Sequence, residues 1–429
     1  MCRLATSKSG IASCIVICGV FFTFYWIEDF QNQKYFPPEI KECGFYPGEL
    51  CGALFEGKPA ALAVGNICQA SLPPSRDQSP ARLSTKSNCS TITKELKFIT
   101  RPLSGEEEDY PLAYILTIHK QLDMSVKLLR AVYAPQNIYC IHVDKKSSRD
   151  FSRAVRKLAG CFQNIIVPAK QESVVYAGIS RLRADIHCME ELLAADTPWR
   201  HVINLCGQDF PIKTNREIIR YLKSKWNGRN LTPGVLQPPH MKYRTRVSYR
   251  EFIHQGRAYV YPSSDLKSAP PHNMTLFFGT AYYALTRHFV EFVLSDERAA
   301  DLLRWSADTY SPDEHYWVTL NRLKDAPGST PNAQWEGNIR AIKWRDQEGR
   351  THTGCHGHYV RDICVYGLGD LQWITESPHL FANKFDPRAY PLVTDCLERH
   401  FRLKVLRQSE VPIDPDWYLE EDDVKPAKT

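Results

Sequence analysis

The 429-residue sequence lacks most of the short signatures that name an enzyme class at sight. It has no GxGxxG, no P-loop, no GxSxG and no HExxH, which argues against an ordinary dehydrogenase, kinase, serine hydrolase or zincin. No CxxC pair and no His/Cys zinc spacing occurs, so the cysteines do not read as a metal centre. The D-x-D that would hold a divalent ion occurs only as Asp414-Pro415-Asp416, in an acidic tail where a solvated surface role is the simpler reading. Strong charge of one sign is missing too. A net charge of +6 suits an anionic small substrate, but no basic patch is interleaved with a nucleic-acid motif, so a nucleic-acid partner is not expected. Internal repeats are absent.

What is present is an ordinary globular composition, 43% hydrophobic and 24% charged, in a chain long enough for one large α/β enzyme with an N-terminal extension. Ile11 to Ile27 is uncharged, with Arg3 and Lys8 before it and Glu28 and Asp29 after it. It reads as a short signal-anchor rather than a cleaved leader, because no small-x-small cleavage pattern follows the apolar core. Residues 1–10 would then be a cytosolic tail, 11–27 the span, and the rest luminal. So short a span suits a thin early-secretory membrane.

The 14 cysteines fit that address. Cys2, Cys14 and Cys18 fall in the tail and span; those beyond read as disulfide formers in an oxidising lumen, and their odd number leaves at least one free thiol. Asn88, Asn230 and Asn273 head N-x-S/T sequons and add weak support for secretory passage.

From Gln31 to about Glu107 no period is sustained, and residues 28–109 read as a stem that becomes ordered where its cysteines tie onto the body. From Tyr110 the texture alternates. Strands are expected at Tyr114–His119, Asn137–Asp144, Asn164–Pro168 and His201–Leu205. Helices are expected at Met124–Tyr133, Ser148–Leu158, Tyr176–Ala194 and Asn215–Lys225; the third of these has apolar residues three and four apart. Repeated β-α units predict a largely parallel sheet covered on both faces, with ligands beyond the carboxyl ends of its strands. His119, Asp144 and Cys206-Gly207-Gln208-Asp209 fall there.

The strings VVYAGISRLRAD, NLCGQDFPIKTNREI, DTYSPDEHYW, HYVRDICVYGLGDL and HLFANKFD together resemble the β-1,6-N-acetylglucosaminyltransferases that build core 2 and I branches. The resemblance runs continuously from about Tyr110 to Arg402. It implies a GT-A-like (Rossmann-like) α/β catalytic domain over residues 110–402 and an acidic C-terminal tail over 403–429. It further implies UDP-GlcNAc as donor, inversion at the anomeric carbon, no divalent metal or other cofactor, and a place in the Golgi membrane. The implied acceptor is a glycoprotein O-glycan or a poly-lactosamine, and a homodimer is left open.

The family's site residues carry over one at a time. Glu314, in Ser311-Pro312-Asp313-Glu314, stands where the general base does; an inverting transfer needs one group to take the proton of the attacking hydroxyl. Arg361 and Lys384 match the cations that hold the donor diphosphate in place of a metal. Thr117, Ile118, His119, Asp144, Lys145 and Tyr176 match uridine- and sugar-contacting positions. Arg244 and Trp344 match acceptor-binding positions, beside Glu314. The resemblance also pairs Cys51 with Cys396, Cys89 with Cys161, Cys140 with Cys188 and Cys355 with Cys364, and leaves Cys206 free. Cys43 and Cys68 are additional and could pair with each other.

The acceptor side departs from the pattern: Thr232 stands in place of a glutamate, Met241 of a lysine and Asp346 of a tyrosine. Lost polar partners cost discrimination. Two alternatives therefore stay open: a catalytically weak or inactive Golgi glycan-binding or assembly protein, and a transferase using another donor such as UDP-xylose.

Overall fold

A computed structural model describes residues 47–71, 83 and 88–413. The expected anchor at 11–27, its flanking tail, Cys43 and the Asp414–Asp416 motif lie outside the described residues. Among those described, no helix is long and apolar enough to cross a membrane.

Strands β1 (Leu112–Ile118), β2 (Ile138–Val143), β3 (Ile165–Ile166) and β4 (His201–Cys206) lie parallel, and Ala284–Thr286 adds an antiparallel edge beside β4. The order across the five-stranded sheet is Ala284–Thr286, β4, β1, β2, β3. Every residue of β1 and of β2 is buried, which is why both read as unbroken apolar runs rather than alternating ones. The period of two instead divides two cores. Tyr114, Leu116 and Ile118 face the helices Leu122–Val132 and Arg149–Ala159. Ala113 and Ile115 face Leu182, Met189 and Leu192 of the helix Ile179–Ala194. A disulfide from Cys140 to Cys188 ties β2 to that helix.

Helix starts follow local chemistry. The Ser148 hydroxyl accepts from the Phe151 amide, and Thr214 with Glu217 forms a reciprocal capping box at Asn215–Lys225. A smaller sheet joins β5 (Asp209–Pro211) to Phe381–Asn383 and Arg340–Ala341. It delivers the segment after Asn383 to the carboxyl edge of the main sheet.

The stem is ordered where its cysteines join the body, as expected, and the order there is helical. Helices occupy Pro47–Phe55, Pro59–Ser71 and Cys89–Glu95. Leu50 and Leu54 pack with Leu392, Val393 and Leu397 of the terminal helix Pro391–Gln408, and a disulfide joins Cys51 to Cys396. Ile92 and Leu96 enter the core beneath β1, next to a Cys89–Cys161 disulfide. Two of these helices, of 9 and 7 residues, are too short to show a period, and partners distant in sequence stabilise them. Cys68 is disulfide-bonded as well. The body thus starts before residue 110, and its last helix runs past Arg402.

Candidate active site

The carboxyl ends of β1 and β2 open one side of the site. Asp144 follows β2 and is buried; its carboxylate accepts from the Lys146 amide at 2.8 Å and from the Lys146 ammonium at 2.7 Å. The Lys145 amide donates to the Glu172 carbonyl at 2.9 Å, and the Lys145 residue is exposed. Thr117 is buried and its hydroxyl has no hydrogen-bond partner, an orphan that a ligand would satisfy. His119 is exposed beyond β1; desolvation, then the Lys120 ammonium, holds its imidazole below the usual value and so neutral near pH 7. Ile118 points into the core, so it offers the site only backbone, and its carbonyl already accepts from the Asp144 amide at 2.9 Å.

The cations come from elsewhere in the chain. His358–Val360 and Ile363–Val365 form a hairpin whose two turn residues, Arg361 and Asp362, have φ of 52° and 62°. That is the backbone of a tight primed turn, favoured by glycine, asparagine and aspartate and unusual for arginine. The Cys355–Cys364 disulfide holds one strand of the hairpin, and the Arg361 guanidinium lies 4.0 Å from the centre of the Tyr176 ring. Lys384 directly follows Phe381–Asn383, and its ammonium donates to the Val360 carbonyl at 3.1 Å. Burial, and then the nearby Arg361 charge, pushes Lys384 below its ordinary value, while the Cys206 thiol opposes the shift. Neither cation has a carboxylate partner among the described residues. Two neighbouring cations with no counter-ion are an anion site.

Glu314 shares a neighbour with Arg361, since both charges act on the Tyr176 phenol. Ser311 sits at φ 48° and starts the turn Pro312–Glu314; its amide donates to the Ala177 carbonyl at 2.8 Å, which fastens the turn to the loop bearing Tyr176. The Glu314 carboxylate pairs with Arg244, whose guanidinium lies 5.0 Å from the Phe278 ring centre and 5.3 Å from that of Tyr310. Burial raises the Glu314 pKa to about 7; the Arg244 charge opposes the rise and the neighbouring Asp313 adds to it. A carboxyl poised there can accept a proton at neutral pH. Where this carboxyl serves as the base, only its ionised form accepts, so kcat/KM is expected to climb as pH rises through about 7 and to fall roughly tenfold per unit below it. A pH–rate profile from 5 to 9 checks this.

The acceptor-side residues divide. Arg244 joins the site through Glu314, and Trp344 stands half-exposed beside the Arg361 hairpin, where it bridges to Ile363. Met241 and Asp346 are accessible. Thr232 is a correction. It is buried, accepts from Asn321 at 2.7 Å and Arg322 at 3.2 Å, and does not line the cleft. Asn230 is another: fully buried, its amide serves Thr286, Asn321 and Pro327, so this sequon has no room for a glycan. Asn88 and Asn273 are exposed. Cys206 is free, and burial pushes its thiol up to about 11.

Several members of the site escaped sequence reasoning. Lys146, the partner of Asp144, was legible as the next cation but one. Tyr310 lay within the DTYSPDE string. Phe278 carried no local signal.

A parallel α/β sheet with an orphan hydroxyl and a buried acid at its strand ends, a carboxyl with its pKa raised to about 7 and an unneutralised cation pair together suit group transfer from an anionic donor. A family model described as "Core-2/I-Branching enzyme" matches residues 112–375, and the chain belongs to that family. It is 55% identical to the human "Probable beta-1,3-galactosyl-O-glycosyl-glycoprotein beta-1,6-N-acetylglucosaminyltransferase 7", over 98% of this chain and 98% of that protein. It is 48% identical to the human "N-acetyllactosaminide beta-1,6-N-acetylglucosaminyl-transferase", over 96% of this chain and 99% of that one. Against the rat "Beta-1,3-galactosyl-O-glycosyl-glycoprotein beta-1,6-N-acetylglucosaminyltransferase 3" the figure is 44%, over 77% of this chain and 76% of the relative.

Proposed function

We propose that the protein transfers GlcNAc from UDP-GlcNAc to a galactose or GalNAc O6 of a glycoprotein glycan, forming a β-1,6 branch. The observation that carries this reading is the poised Glu314 carboxyl gathered around Tyr176 with the unpaired Arg361, which itself lies beside the unpaired Lys384. In the reaction Glu314 takes the proton of the acceptor hydroxyl as its oxygen attacks C1 from the face opposite UDP. The bond from C1 to the diphosphate oxygen breaks, and the electron pair leaves with UDP. Arg361 and Lys384 neutralise the charge that develops there, and Glu314 then returns the proton to water. Tyr176, Thr117 and Asp144 would hold the nucleotide sugar, with Arg244 and Trp344 on the acceptor.

The reaction is proposed to need no divalent metal. Where many nucleotide-sugar enzymes present a metal-binding acid after this strand, the Asp144 carboxylate is neutralised by the Lys146 ammonium. Saturating EDTA is expected to change the initial rate by less than about twofold, in contrast to the several kcal/mol a catalytic ion supplies. Transfer that stops in EDTA and returns with manganese or magnesium would overturn this part. A secretory-pathway address, with the body in the Golgi lumen, is supported by the Cys51–Cys396, Cys89–Cys161, Cys140–Cys188 and Cys355–Cys364 disulfides, which persist in oxidising compartments.

Met241 and Asp346 favour a second reading, a glycan-binding protein on a transferase scaffold. Profiling UDP-sugars against O-glycan and poly-lactosamine acceptors separates the two: product only with UDP-GlcNAc supports the first, and glycan binding without product from any donor supports the second.

A further inference from the structure

The antiparallel hairpin Val247–His254 and Arg257–Leu266 packs beside the site and contributes no group to the chemistry above. One of its side chains reaches inward. Glu251 Oε1 accepts from the Ser180 amide at 2.8 Å and from the Ser180 hydroxyl at 2.7 Å, at the first turn of the helix Ile179–Ala194. The Ser180 hydroxyl in turn accepts from the Val175 amide at 2.8 Å. The Gly178 amide donates to the Val175 carbonyl at 3.1 Å, and the Ala177 carbonyl accepts from Ser311 at 2.8 Å. The Glu314 amide closes the series on the Ser311 carbonyl at 3.0 Å. Ala177 and Ser311 both have positive φ, 63° and 48°, a conformation that neighbouring bonds must hold in place.

Gly178 shows how closely the carboxylate is seated. Its φ of −100° is open to any residue, yet a Cβ there would lie 2.0 Å from Glu251 Oε1. A methyl there would push the carboxylate out of its seat without straining the backbone.

We propose that Glu251 is a positioning residue. By clamping the loop Val175–Gly178 it fixes both the Tyr176 ring under Arg361 and the turn that aims Glu314. One carboxylate on the hairpin thus sets the donor side and the base side together. The part concerning Glu314 rests on its role as base; the clamp itself does not. The loop has the clamp on one side and the Ser311 amide on the other, so releasing the first frees a residue in strained φ and loosens the second. A negative charge suits the site, because the carboxylate lies at a helix N-terminus where unpaired amides favour an anion. A glutamine retains the accepting oxygen and the shape, so it should preserve most of the clamp; an alanine retains neither.

The test is amide hydrogen exchange on the full luminal body of wild type, Glu251→Ala, Glu251→Gln and Gly178→Ala, with transfer kinetics on the same samples. In Glu251→Ala the amides of Val175, Ser180 and Ser311 are expected to exchange about tenfold faster, while those of β1 stay unchanged. Glu251→Gln should stay close to wild type. Gly178→Ala, which displaces the carboxylate without removing it, should reproduce the alanine pattern. The double variant Gly178→Ala/Glu251→Ala should exchange no faster than either single, since both remove one interaction. In kinetics, kcat should fall about ten- to a hundredfold in Glu251→Ala with acceptor KM little changed, and Glu251→Gln should recover most of it. Faster exchange confined to the hairpin and Ser180, with Ser311 unaffected, would overturn the proposal. So would equal loss in the alanine and glutamine variants. Absence of transfer by the wild type would count against the proposed function, while the exchange at Ser311 would still decide the clamp.

Discussion

Glu314→Gln is expected to lower kcat by about a thousandfold, within the range of about 10²–10⁴ that a positioned general base supplies, and to leave UDP affinity within about twofold of wild type. The split follows from the geometry. The Glu314 carboxylate pairs with Arg244, and among the described residues no ion pair joins it to Arg361 or Lys384. Glutamine keeps the size of the side chain and the turn beneath it, because that turn is held by backbone bonds: Ser311 to Ala177 and Glu314 to Ser311. It removes the carboxyl whose pKa burial raises to about 7. Calorimetry for UDP and initial rates for transfer, on one preparation, check both halves. A variant with wild-type turnover would remove Glu314 from the mechanism.

Arg361→Ala combined with Lys384→Ala is expected to weaken UDP binding by about a thousandfold, with each single change giving about ten- to a hundredfold. A hydrogen bond to a charged group contributes about 1.5–3 kcal/mol, and about 1.4 kcal/mol is a factor of ten. The single changes should not be equal. Arg361 is exposed and stacks on Tyr176, whereas the partly buried Lys384 ammonium is committed to the Val360 carbonyl next to it. Removing Lys384 therefore also frees the hairpin that aims Arg361, so Lys384→Ala should cost more. Lys384→Arg is not a conservative test, because a planar fork does not replace a compact ammonium at that carbonyl. UDP affinities for the three variants decide it; wild-type affinity in the double variant would contradict the assignment.

Much of the frame was legible because sheet geometry imposes it. Each β-α unit between Tyr110 and Lys225 appears within a few residues of its expected bounds, and His119 and Asp144 fall at strand ends as the order of elements requires. What escaped the sequence depended on partners far along the chain. The stem helices were hidden because Leu50, Leu54 and Cys51 meet their partners only at residues 392–397. Thr232 and Asn230 lie in a polar stretch that reads as surface, yet Asn321, Arg322 and Thr286 bury and satisfy them. Ile118 matches a donor-contact position by its place in the chain, but the pleat turns its side chain into the core. Arg361 was legible as a cation through family resemblance, not through its surroundings. No local rule places arginine in a primed turn, and only the hairpin around it explains that backbone. Glu251 had no signal at all, since its partner Ser180 belongs to another element.

The most direct measurement is the linkage of the product formed when the soluble luminal body is incubated with UDP-GlcNAc and an array of O-glycan and poly-lactosamine acceptors, beside Glu314→Gln. A single new GlcNAc in β configuration on O6 of galactose or GalNAc, formed by the wild type and not by Glu314→Gln, is the predicted result. A product with retained α configuration, a different linkage, or equal formation by both proteins would contradict the account.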